Sequence, residues 1–178
     1  PGLSMNVAAA EITRCVLETD DKVRILDADA LNIIAGEHID YKGSREGQII
    51  ITPHIMEMSR LTGKTVADIK EHMIESAKEY AIQHSCICIL KDARTVVTDG
   101  QKVYINCTGN DGMSTGGCGD VLTGLIAGMT AMGLDAFEAA CLSVYVHGKA
   151  GDYAASGKGR AGMTAADVSE AIAYVLKR

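Results

Sequence analysis

The chain has 178 residues, 47% of them hydrophobic, with a formal net charge of −6. That is long enough for one domain with a real core and too apolar for a disordered segment. The acidic balance gives no electrostatic support to nucleic-acid or anionic-membrane binding, and no apolar run approaches the length of a membrane span.

The residues from Asn6 to Thr19 place Val7, Ala10, Ile12, Val16 and Leu17 on a helical stripe. Val23 to Leu26 is a short apolar run ending at Asp27, the profile of a buried parallel strand. DADALNIIAG follows, with a short helix expected over Ala30 to Ala35, capped by Asp29 and stopped by Gly36. Asp27 stands at the carboxyl end of the strand, where open α/β sheets place their ligands. It reads equally as a site wall or indirect metal contact and as a helix N-cap.

Gln48 to Thr52 is the next strand, broken by Pro53, with His54 on the loop beyond it. His54 is placed to hydrogen-bond a substrate, although a lone loop histidine is often only solvated. Thr65 and Asp68 form a capping-box pattern for one helix running to about Gln83, its apolar face made of Val66, Ile69, Met73, Ala77 and Tyr80. Cys86 to Leu90 is a strongly apolar strand ending in Lys91, which can pair with a phosphate or sit as a surface charge at a turn. Thr95 to Asp99 and Lys102 to Asn106 are joined through Asp99–Gly100, a hairpin signal that turns the sheet antiparallel.

Val103 to Asn106 then runs into a turn carrying Gly109, Gly112, Gly116, Gly117 and Gly119, with Asp120 where the next helix should begin. Successive free N–H groups in such a turn, together with a helix N-terminus, form an anion site. An Asp there is ordinarily an N-cap, but five glycines within eleven residues exceed what capping needs. A carboxylate beside an anion site can take a proton from a hydroxyl attacking a bound phosphate. Neither the Walker A pattern nor the dinucleotide GxGxxG occurs.

The helix from Val121 to Met132, with Gly124 and Gly128 four apart, is expected to pack closely on the sheet. Asp135 and Thr164 cap two more helices, with Glu138 and Asp167 at their third positions. The inner face of the first is predicted as Phe137, Ala140, Cys141, Val144, Tyr145 and Gly148, with His147 a packed helical residue. Strands alternating with helices, then a hairpin, then three helices predict one three-layer α/β domain over residues 1–178. The six cysteines form no CxxC pair and no zinc spacing. They predict reduced, mostly buried thiols in the cytoplasm and no protein metal-ligand set. Cys118, in the glycine turn, is read as small filler, since no histidine lies nearby in sequence to activate a thiol.

The order DADALN, ITPHIMEMSRL, KDART with its hairpin, TGNDGMSTGGCGDVLTGLIAGM and VYVHGKAGD resembles the NAD(P)H-hydrate dehydratase family, the YjeF C-terminal domain type of the ribokinase-like superfamily. The resemblance implies a ribokinase-like fold: a mostly parallel sheet with an antiparallel hairpin and helices on both faces. It also implies dehydration of hydrated NADH or NADPH at the expense of ADP or ATP, with Mg2+ bridging the phosphates. On that resemblance Asp120 is the base. Lys91, Asp92, Ala93, Arg94 and Thr95, with Gly116, Gly117 and Gly119, meet the nucleotide and its phosphates. Gly2, His54, Asn110 and Asp120 match substrate-contacting positions. A homo-oligomer is the implied assembly.

Three departures accompany the likeness. Asp111 stands where the family usually has Pro, which is expected to loosen the turn. Ser4 replaces the last glycine of a GPGLG loop whose tail PGLS resembles. The family's first strands and helices precede that loop, so a further segment or partner chain is expected to supply them. A sugar, hydroxymethylpyrimidine or hydroxyethylthiazole kinase of the same superfamily would use the same acid and anion site. A non-catalytic nucleotide-binding module would not need Asp120.

Overall fold

Short runs of isoleucine, leucine and valine without polar alternation build the sheet, as strands buried on both faces require. The computed structural model describes residues 1–19, 21–43 and 48–177. Among them, β1 (Arg24–Leu26), β2 (Ile49–Ile51), β3 (Ile87–Leu90), β4 (Val96–Thr98) and β5 (Val103–Ile105) lie side by side in that order. β1 pairs parallel with β2 and β2 with β3, whereas β3 meets β4 antiparallel through Leu90 opposite Val96. The chain thus adopts the α/β fold with a mostly parallel sheet that its pattern predicts. The turn from β4 to β5 is tied by Asp99 Oδ1, which accepts the N–H groups of Gln101 and Lys102, with Gly100 at φ +96°.

The described chain falls into two compact units, Pro1–Asp92 with Val96–Tyr104, and Ala93–Thr95 with Ile105–Arg178. In the first, helices α1 (Val7–Glu18), α2 (Asp29–Gly36), α3 (Ile55–Thr62), α4 (Val66–Glu71) and α5 (Met73–His84) accompany the sheet. Its core gathers Leu26, Ile49, Ile51, Cys88 and Leu90 from the strands with Leu31, Met58, Ile69 and Ala77 from the helices. The strand residues pointing the other way, Ile50, Ile87, Ile89 and Val97, are buried as well.

Several local expectations change here. The single helix from Thr65 to Gln83 is two helices, because His72 leaves helical geometry at φ −125°, ψ 48°, with its imidazole 3.3 Å from the Asp68 carbonyl. Gly36 is the last residue of α2 and not a left-handed stop beyond it, the cap position falling to Glu37. Asp29 does not cap α2 but is its first residue, and the cap position falls to Ala28. Ile55–Thr62, for which the sequence reading assigns no element, form α3, closed by Gly63 at φ +73°.

In the second unit, a 3-10 turn (Asp111–Met113) precedes α6 (Cys118–Ala131), α7 (Ala136–Lys158) and α8 (Ala165–Val175). Asp135 caps α7 and Thr164 caps α8, the latter with Asp167 in a full capping box. Cys118 of α6, Ala150 and Ala154 of α7, and Val168 and Ala171 of α8 share one core with Met163. Tyr145 faces outward instead of inward, at 43% exposure, while His147 is packed as expected. Gly124 and Gly128 are also exposed, with open space where a Cβ would stand, so they do not serve the close packing expected of them.

Candidate active site

The glycine turn forms in steps dictated by its residues. Asn106 donates its N–H to the Thr95 carbonyl at 2.9 Å as the β-hairpin closes. Asn110, extended at φ −145°, folds its side chain forward, and its Oδ1 accepts the Gly112 N–H at 3.0 Å. That Asx-type bond starts the 3-10 turn. Asp111 occupies the turn's first position, where a proline is well tolerated. Here Arg160 reaches it at 3.2 Å, an exposed ion pair that contributes little by itself.

Gly117, at φ +92°, then turns the chain into α6 without any side-chain cap. The first internal bond of α6 runs from the Val121 N–H to the Gly117 carbonyl at 3.1 Å. The N–H groups of Gly119 and Asp120 precede it and have no carbonyl of their own helix to meet. Gly116 and Gly117 are exposed, and Gly119 is half-buried. Asp120 is the third residue of α6 and not its cap. Its side chain is exposed and takes no partner among the described residues. The result is a set of open donors at the positive end of a fourteen-residue helix with a solvent-facing carboxylate beside them. Cys118, two positions before Asp120, is buried, and burial pushes its thiol above the usual range, as suits the filler role.

In the first unit, Gly2 is exposed at φ +71° and Ser4 adopts φ +62°, a left-handed backbone that favours glycine. Asp29 holds that strained corner, its Oδ2 accepting the Ser4 N–H at 2.8 Å. At the carboxyl ends of β1 and β3, Lys91 Nζ donates to Asp27 Oδ1 at 2.8 Å. The Asp27 side chain is 2% exposed and that of Lys91 22%. Lys91 is therefore neither a loose surface charge nor an uncommitted phosphate ligand.

Pro53 does not end strand pairing, because its carbonyl still accepts the Lys91 N–H at 2.8 Å and His54 bridges Lys91 in parallel register. His54 is not on an irregular loop but caps α3. Its Nδ1 accepts the Glu57 N–H at 3.1 Å, while Glu57 Oε2 accepts the His54 N–H at 2.8 Å. Nε2 stays on a half-exposed ring, 3.4 Å from Glu57 Oε1.

The family model for NAD(P)H-hydrate dehydratase matches residues 1–174. The chain belongs to this family. The bifunctional NAD(P)H-hydrate repair enzyme Nnr of Moorella thermoacetica is 45% identical over 99% of this chain and 33% of its own length. The ADP-dependent (S)-NAD(P)H-hydrate dehydratase of Neisseria meningitidis is 33% identical over 96% of the chain and 59% of its own length. Among solved structures, the ADP/ATP-dependent NAD(P)H-hydrate dehydratase of Bacillus subtilis, co-crystallized with ATP/Mg2+, superposes with a TM-score of 0.87 at 32% identity. That match covers 98% of this chain and 61% of the other. The chain thus spans between a third and about three fifths of the length of these relatives.

The site residues expected from the sequence fall in different units. Gly2, His54, Lys91 and Asp92 lie in the first, where the structure joins His54 to Lys91. Ala93, Arg94, Thr95, Asn110, Gly116, Gly117, Gly119 and Asp120 lie in the second. Residues 92–94 form an exposed turn, and Thr95 is half-buried. Sequence reasoning missed the commitment of Lys91 to Asp27, a pairing across sixty-four residues that no local pattern carries. It also assigned no role to Asp152, although VYVHGKAGD contains it.

Proposed function

We propose that this chain dehydrates hydrated NADH or NADPH at the expense of ADP or ATP. What carries the reading is the open N-terminus of α6, with unmet N–H donors and the partnerless carboxylate of Asp120 at its third residue. In this reading Asp120 is the catalytic base. It takes the proton of the hydrate's hydroxyl as that oxygen attacks the terminal phosphorus of the nucleotide. The new P–O bond forms as the bond to the nucleotide's bridging oxygen breaks. Phosphate then leaves with the C–O electron pair, a ring proton is lost, and the ring double bond returns. The N–H groups at Gly117, Gly119 and Asp120 would stabilise the phosphoryl oxygens in flight.

Lys91, Asp92, Ala93, Arg94 and Thr95 are the proposed nucleotide contacts, with Gly116, Gly117 and Gly119. Gly2, His54 and Asn110 are the proposed substrate contacts. With Nδ1 spent on its cap, His54 would make such a contact through Nε2 of its half-exposed ring, which also lies 3.4 Å from Glu57 Oε1.

Among the described residues no three His, Cys, Asp or Glu side chains converge. That donor set fits a magnesium ion carried by nucleotide phosphates and water better than an all-protein cage. Bound there, the ion would neutralise charge developing on the phosphoryl group. The chain's own share would be to hold the phosphates through the loop N–H groups.

In the same reading, residues 1–178 act as one ribokinase-like domain of a homo-oligomer in the cytoplasm. The thiols are not mostly buried as expected: Cys86, Cys88 and Cys118 are, whereas Cys15 and Cys107 are exposed and Cys141 is half-buried. No helix among the described residues is long and apolar enough to cross a membrane. The kinase alternative has weaker support, because the hydroxyethylthiazole kinase neighbour from Pyrococcus horikoshii is 14% identical and shows the fold alone. The deciding test is an assay of the full-length protein with hydrated NADH, magnesium, and ADP or ATP in turn. Recovery of reduced-nicotinamide absorbance with stoichiometric free phosphate is expected. A stable phosphoester in place of free phosphate would establish a kinase instead.

A further inference from the structure

One carboxylate of the second unit reaches the glycine turn from α7 and has no part in the chemistry above. Asp152 Oδ2 accepts the Gly109 N–H at 3.1 Å, and its Oδ1 accepts an N–H of the Asn110 amide at 3.1 Å. The Asn110 Oδ1 then accepts the Gly112 N–H at 3.0 Å. An ionised carboxylate only accepts hydrogen bonds, whereas an amide has one accepting end and one donating end. With Asp152 holding the NH2 end, the amide oxygen is directed to Gly112, and the flipped amide would set oxygen against oxygen. A single side chain therefore fixes the backbone at Gly109 and, through Asn110, the backbone at Gly112.

The approach of α7 to the turn supports this lock. A Cβ at Gly148 would lie 2.1 Å from Thr108 Oγ1, and one at Gly151 would lie 2.2 Å from Met113 Sδ. Helix backbone and turn are thus packed together with no side chain of Gly148 or Gly151 to spare. Asp152 is half-buried at that contact, one residue beyond Gly151.

We infer that Asp152 is a positioning residue, which holds Asn110 and the segment Gly109–Gly112 in one conformation and thereby sets affinity for the hydrated substrate. The consequence for substrate rests on the reading of Asn110 given above, whereas the lock itself does not.

The test uses the full-length protein with Asp152→Ala, Asp152→Asn, and the exchanged pair Asn110→Asp with Asp152→Asn. Amide hydrogen exchange over residues 108–113 and the KM values for hydrate and nucleotide are measured for each. Asp152→Ala should raise exchange at Gly109 and Gly112 by roughly tenfold, as expected for a lost hydrogen bond to a charged group. Asp152→Asn should recover protection at Gly109 alone, because its amide would face the Asn110 NH2 end. The exchanged pair should recover both, since the carboxylate now at 110 accepts from Gly112 and from the amide now at 152. In Asp152→Ala the hydrate KM should rise by about tenfold while the nucleotide KM moves less than about twofold.

Unchanged exchange in Asp152→Ala, or failure of the exchanged pair to restore it, overturns the lock. Lost protection spread along α7 with neither KM altered reduces Asp152 to packing and overturns the positioning role. If the parent protein turned over no hydrate, the dehydratase reading would fail, and the exchange data alone would decide the lock.

Discussion

Replacing Gly148 by Ala sets two effects of opposite sign against each other. In the middle of α7, alanine gains about 1 kcal/mol over glycine in helix propensity. Its methyl carbon would stand 2.7 Å from the Thr108 carbonyl carbon and 2.8 Å from the Thr108 carbonyl oxygen. Even if the hydroxyl rotates away, the turn must retreat by about 0.7 Å to restore ordinary contact with the helix. Overpacking of this kind costs roughly 1–3 kcal/mol. The retreat also stretches the Gly109–Asp152 hydrogen bond, already 3.1 Å long, whose loss adds about 1 kcal/mol. The net is a destabilisation of about 1–3 kcal/mol, or a Tm lowered by roughly 6 °C in a chain of this size. Gly124→Ala provides the comparison, because nothing lies within 4 Å of a Cβ at that position of α6. It should keep the propensity gain and raise Tm by about 2–4 °C. Circular dichroism melts of both variants against the parent measure the contrast. A Gly148→Ala protein as stable as Gly124→Ala would refute the close approach of α7 to the turn.

Lys91→Met leaves the buried Asp27 carboxylate without its ammonium partner and should destabilise the chain by about 3 kcal/mol in urea denaturation, whereas a surface charge would shift stability by only a few tenths. Gly117→Ala forces a non-glycine residue to φ +92° with its Cβ 3.1 Å from that of Ala165, and should lower stability by about 1–2 kcal/mol while weakening nucleotide binding measured by calorimetry. Asp167 is hydrogen-bonded by Lys158 and by Thr164, which lowers its carboxyl from 3.8 to about 2. A depressed acid stabilises the fold fully above its unfolded value and loses that contribution as pH falls through its folded value. The difference in urea midpoint between the parent and Asp167→Asn should therefore be constant above about pH 4 and shrink toward zero near pH 2. An undiminished difference at pH 2 would show that the Lys158–Asp167–Thr164 arrangement does not form.

The strands were legible because their residues are unambiguous: III before Thr52 and ICIL before Lys91 admit few other readings. The caps at Thr65, Asp135 and Thr164 were legible because a short polar side chain three residues before an acid has one efficient use. The break at His72 was not, since neither glycine nor proline marks it and the apolar stripe runs through it unchanged. α3 was not legible because Pro53 interrupts the apolar run just before it and histidine is an uncommon N-cap. At the candidate site, the glycine turn and Asp120 follow from local sequence. The Lys91–Asp27 and Asp152–Asn110 contacts join residues sixty-four and forty-two positions apart, which only folding brings together. Gly124 and Gly128 show the opposite error, since spacing that suggests close packing leads here to open space.

The central claim is that Asp120 works on the oxygen receiving the phosphoryl group while the backbone of the turn holds the phosphates. Its most direct test is Asp120→Asn in the full-length protein, with turnover of hydrated NADH and nucleotide Kd measured on the same preparation. The account predicts a fall in kcat of roughly 10²–10⁴, the usual contribution of a general base, with the nucleotide Kd within about twofold of the parent. Turnover near the parent rate, or a Kd that collapses in step with kcat, would contradict it.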